Sequence, residues 1–120
     1  MTVRVLVVDD QEPFRIAAAA VVASTDGFEL VGSAASGEAS LVAVAELHPD
    51  LVLMDIHLPG IDGLESTRRI RERQPGVRVL LLSSFDSYDG VETCGALGYL
   101  PKRMLSPTEL HGAWCERRTG

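Results

Sequence analysis

Five residues in this chain could do chemistry together, and each follows a short apolar run: Asp9 with Asp10, then Asp55, Ser83 and Lys102. Three carboxylates brought to one place repel one another, so either some stay protonated or a cation joins them. Oxygen ligands without a Cys or a His cluster favour Mg²⁺ over a transition metal. Mg²⁺ keeps several waters and accepts a phosphoryl oxygen, and an ammonium and a small hydroxyl suit the remaining phosphoryl oxygens. The set therefore points to phosphoryl chemistry. Asp55 is the best nucleophile, since a carboxylate forms an acyl phosphate, and Asp9 and Asp10 are left to the metal. Ten of the eleven basic residues are arginine, which singles out Lys102.

These residues meet only if particular elements place them. Val3–Val8 (VRVLVV), Leu51–Met54 (LVLM) and Val77–Leu82 (VRVLLL) are short and almost wholly apolar, as strands buried on both faces are. Phe28–Ala34 is a less apolar strand, and Gly98–Leu100 a short fifth. Helical spacing follows the first strand with Phe14, Ala17, Ala18, Val21 and Val22 inward. A second helix opens at Ser36-Gly37, carries Leu41, Val44, Ala45 and His48 on one face, and is closed by Pro49. The third, Leu64–Gln74, turns Leu64, Thr67 and Ile70 inward and its arginines outward. A weaker helix, interrupted by Gly90 and Gly95, is expected over Ser87–Leu97. Ser106-Pro107-Thr108-Glu109 forms a capping box before a last helix with Leu110, Ala113 and Trp114 inward. Strand and helix alternate five times, which predicts a doubly wound α/β fold with a mostly parallel sheet. Ligands of such sheets bind beyond the carboxyl ends of the strands, where strand order reverses. With order 2-1-3-4-5, Asp9, Asp10 and Asp55 crowd that point, and Ser83 and Lys102 line its far wall.

Composition narrows the class. The chain has 120 residues, 46% hydrophobic and 23% charged, which suits one globular domain spanning 1–120 and excludes a disordered chain or coiled coil. A net charge of −6 argues against direct nucleic-acid binding. Cys94 and Cys115 sit in no CxxC and read as free thiols in a reducing compartment. No apolar run is long enough to span a bilayer and no signal segment opens the chain, so a cytoplasmic location without a membrane partner is expected. Each site residue alone has a plain structural role. Asp9-Asp10 would cap a helix, Asp55 would end a strand, Ser83 would bond a loop and Lys102 would be solvated. Four strand ends delivering compatible groups to one edge outweigh that.

VLVVDDQEPFR, PDLVLMDIHLPGIDGLESTRRI, RVLLLSSFD and GYLPK, in this order, resemble the receiver domain of two-component response regulators, closest to the LuxR/NarL-type branch. The resemblance covers residues 3 to 115 and implies a (βα)₅ flavodoxin-like fold, strand order 2-1-3-4-5. It implies that Asp55 takes a phosphoryl group from a sensor histidine kinase. Asp10, Asp55 and the His57 backbone carbonyl would bind Mg²⁺ (or Mn²⁺) directly, and Asp9 through water. Ser83 would be the switch hydroxyl, Lys102 would pair with the phosphoryl group, and Tyr99 would swing inward as Ser83 moves. The branch further implies a DNA-binding output domain in a longer parent chain and a homodimer on phosphorylation. The alternatives are a natural single-domain receiver acting through protein contacts, or a degenerate receiver that is not phosphorylated. An aspartyl-phosphate phosphatase is disfavoured, because its acid/base Asp would stand where His57 is. The chain departs from the family in a shorter Ser83–Lys102 stretch and in Arg103 after Lys102, with Pro101 before it.

Overall fold

β-Branched and leucine-rich runs surrounded by helices have one stable arrangement, a sheet covered on both faces. The computed structural model describes residues 2–84 and 94–118 and has that form. In chain order the elements are β1 (Val3–Val8), α1 (Glu12–Ala23), β2 (Phe28–Ala34), α2 (Gly37–Leu47), β3 (Leu51–Asp55), α3 (Gly63–Arg73), β4 (Arg78–Ser83), β5 (Gly98–Pro101) and α4 (Pro107–Arg118). A 3₁₀ turn, Lys102–Met104, leads out of β5. All strand pairs are parallel and the order is β2-β1-β3-β4-β5, the flavodoxin-like order expected.

Alternation along the strands divides the core in two. Leu6, Val8, Val52, Met54, Val79 and Leu81 face α2 and α3, while Val5, Val7, Leu51, Leu53, Leu80 and Leu82 face α1 and α4. Side-chain oxygens start three helices: Ser36 accepts from Ala39 N–H at 3.0 Å, Asp62 from Glu65 N–H at 2.8 Å, and Ser106 from Glu109 N–H at 3.1 Å. At the edge of the sheet away from the strand C-termini, the Arg4 guanidinium donates to the Leu47 and His48 carbonyls at 2.7 and 2.8 Å, fastening β1 to the end of α2.

Several sequence expectations are corrected. Ala17, Ala45 and His48 are exposed rather than inward. His48 takes a left-handed conformation (φ 49°) and ends α2 as its C-cap, so its side chain leaves the helix face. Strands three and four each run one residue further, so Asp55 and Ser83 belong to strands rather than to the loops after them. Most of the helix expected over Ser87–Leu97 lies outside the described residues, as do Phe85 and Gly90. Its last part, 94–97, is a turn instead, with Gly95 at φ +88°, which a helix excludes.

Candidate functional site

Sheet register builds the site. β1 and β3 pair up to Val8 opposite Met54, and the next residues along the two strands are Asp9 and Asp55. β3 and β4 pair up to Asp55 opposite Leu82, and Ser83 pairs with Pro101 of β5, one residue before Lys102. Four strands thus deliver their C-terminal residues to one edge. Asp9 and Ser83 are wholly buried and Asp55 is 3% exposed, whereas Asp10 is on the surface. Asp9, Asp10 and Asp55 each place a carboxylate oxygen within 4.8 Å of the others.

Lys102 does more than line the far wall. Its ammonium lies 2.6 Å from Asp9 Oδ2 and 3.5 Å from Asp55 Oδ2, so it already partners two of the acids. It also sits 4.5 Å from the centre of the Phe14 ring, a cation–π contact. Phe14 looked like an ordinary core position of α1 in the sequence. Arg15, the next residue, donates to the Asp9 backbone carbonyl at 2.7 Å. The simple capping role of Asp9 does not hold: Gln11 is the N-cap of α1, and Asp9 Oδ1 accepts from Gln11 N–H at 2.8 Å. Asp9 Oδ2 accepts no aligned hydrogen bond and is compensated through the ion pair with Lys102.

Asp55 Oδ1 accepts from His57 N–H at 3.1 Å, so the backbone two residues on curls back over the carboxylate while His57 itself stays exposed. Burial pushes the Asp55 carboxyl above its ordinary range, and the neighbouring Asp9 carboxylate pushes it further. The Lys102 ammonium and the His57 N–H pull it back only in part. Ionised Asp55 is therefore a cost to the folded state. The folded-state pKa is raised, so the penalty is present at neutral pH and disappears as pH falls through that value towards the unfolded one. Asp55→Asn is expected to raise Tm at pH 7 by a few degrees, about 1 kcal/mol, with the gain vanishing in acid. Thermal melts from pH 3 to 8 check this.

The donor set fits a hard divalent cation. All three side chains offer oxygen, two acids are buried, and one buried oxygen lacks an aligned donor. Gly63 closes the loop behind Asp55. Its N–H donates to the Ile56 carbonyl at 2.8 Å, and a Cβ there would lie 2.1 Å from the Asp55 carbonyl oxygen. Tyr99 pairs with Leu81 and packs, half-buried, on the α2 and α3 side of the sheet. Cys94 is buried, Cys115 exposed, and neither is in a disulfide. Among the described residues no helix is long and apolar enough to cross a membrane.

Residues 5–114 match the response regulator receiver domain family. The chain is 42% identical over 104 residues to the response regulator GacA of Pseudomonas viridiflava, an overlap of 83% of this chain and 48% of that one. It is 41% identical over 105 residues to a protein-glutamate methylesterase/protein-glutamine glutaminase of a Nocardioides species, covering 83% of this chain and 29% of the relative. The chain thus spans less than half the length of either relative. The solved signal receiver domain of a NarL response regulator from Mycobacterium tuberculosis is similar at a TM-score of 0.87 and 32% identity, covering 99% of this chain and 98% of that one.

Proposed function

The chain belongs to the response regulator receiver domain family, and from that premise we propose that it is a phosphorylation-dependent switch whose acceptor is Asp55. The observation that carries this is the meeting of Asp9, Asp10 and Asp55 within 4.8 Å, with the one lysine of the sequence against two of them. The donor is the phosphohistidine of a sensor histidine kinase. An Asp55 oxygen attacks phosphorus, the P–N bond breaks, and the electron pair leaves on the donor imidazole. Oδ1 is already engaged by His57 N–H, so Oδ2, which faces Lys102, is the attacking atom. Asp10, Asp55 and the His57 carbonyl would hold Mg²⁺, with Asp9 through water and Mn²⁺ as a substitute. The ion offsets the charge of the acids and of the phosphoryl oxygens.

Lys102 then turns from Asp9 and Asp55 to the new phosphoryl oxygens, Ser83 supplies a hydroxyl, and Tyr99 fills the space that Ser83 leaves. A doubly charged group draws in a hydroxyl and an ammonium, and the population shifts to a second surface that a partner reads. The resemblance to the LuxR/NarL branch extends this reading to a DNA-binding output domain in a longer cytoplasmic parent and a homodimer on phosphorylation. The domain's own chemistry is confined to gaining and losing its phosphoryl group.

Incubation with acetyl phosphate and Mg²⁺, read by intact-mass spectrometry, is expected to add one phosphoryl group to the parent and none to Asp55→Asn. An Asp55→Asn chain modified like the parent overturns the assignment.

A further inference from the structure

The loop that carries the acceptor leaves β3 at Asp55 and returns to α3 at Gly63. It is held from outside by α2. Glu38, in the first turn of that helix, reaches across so that Oε2 accepts from Ile61 N–H at 3.1 Å. Gly60 makes room for it: its φ is +75°, and a Cβ there would lie 2.5 Å from Glu38 Oε2. Beside Glu38, Gly37 allows the helix to approach the same loop, since a Cβ there would lie 2.6 Å from the Ile61 carbonyl oxygen and 2.3 Å from Ser66 Oγ. Hydrogen bonds from its own N–H and from Ile61 hold the Glu38 carboxyl below its ordinary range. The charged form is thus the one that bridges the start of α2 and the loop.

We propose that Glu38 is a positioning residue for the Asp55 loop, setting how tightly the site takes a divalent cation without belonging to the carboxylate cluster. This rests on the switch reading above. One bond at Ile61 fixes the far end of a short loop whose early part carries His57, and the His57 backbone is what curls onto Asp55. Released there, the loop samples more positions, and the oxygen cage must be ordered again on each binding event.

The test uses the full chain with Glu38→Ala, Glu38→Gln and, as a control on an exposed position of the same helix, Glu46→Ala. Calorimetric Mg²⁺ titration gives the affinity, and acetyl phosphate labelling gives the Mg²⁺ concentration for half-maximal rate. Glu38→Ala is expected to raise both values roughly three- to tenfold, the worth of one charge-assisted hydrogen bond. Glu38→Gln keeps an acceptor oxygen and should recover most of the loss, and Glu46→Ala should match the parent. Parent-like Mg²⁺ dependence in Glu38→Ala overturns the proposal, even with a lowered Tm, as does an equal loss in Glu46→Ala. A parent chain that takes up neither Mg²⁺ nor phosphate overturns the switch reading itself.

Discussion

Lys102→Met is expected to unfold on the order of 10 °C below the parent in EDTA, a loss of about 3 kcal/mol, and to regain much of that difference in millimolar Mg²⁺. The methionine keeps an unbranched stem against Phe14, so the change removes the charge with little change in packing. Without the ammonium, Asp9 and Asp55 are left as buried neighbours of like charge. Removing one partner of a buried ion pair leaves the other's desolvation cost uncompensated. A divalent ion on the same acids supplies the missing charge and binds only the folded state, so it stabilises by linkage. Thermal melts with and without Mg²⁺ decide the matter. A variant that melts with the parent in EDTA would mean that the ion pair contributes nothing net.

Gly63→Ala should be more damaging still. The added methyl would sit 2.1 Å from the Asp55 carbonyl oxygen and 2.7 Å from the Ile56 Cα, both backbone atoms that no rotamer change can move aside. Either α3 lifts off β3, losing the Gly63 N–H bond to Ile56, or the Asp55 backbone shifts. We expect a loss of roughly 3 kcal/mol or more and a phosphorylation rate at least about tenfold lower in whatever remains folded. Urea melts and acetyl phosphate labelling measure the two effects. Gly76→Ala, where a Cβ would meet nothing within 4 Å, is the matched control.

The strands were legible because burial on both faces demands unbroken apolar runs, and VRVLVV, LVLM and VRVLLL have no other use. The acids were legible for the same reason, since a charged residue directly after such a run marks where the apolar core ends. Small residues misled: Ala17 and Ala45 suit either side of a helix, and only packing decides. His48 misled because its left-handed backbone removes it from the helical period. Phe14 beneath Lys102, Arg15 on the Asp9 carbonyl and Glu38 on Ile61 were not foreseen. The first and last depend on how two distant segments face one another, and Arg15 on how α1 turns back over the end of β1, which spacing along one segment does not encode. Gly63 had a readable signal, an extra glycine in a turn-rich loop, but its tolerance of neighbours is a property of the assembled contact.

The ion pairs of Lys102 also join the last strand's end to acids made much earlier in the chain. As the chain is synthesised, Asp9 and Asp55 are made well before the lysine that compensates them, which arrives only after β5. A nascent chain that paired β1 with β3 before the lysine was made would bury two negative charges without its ammonium. Copies cut short before β5 lack that ammonium and are expected to be less stable and more open to proteases.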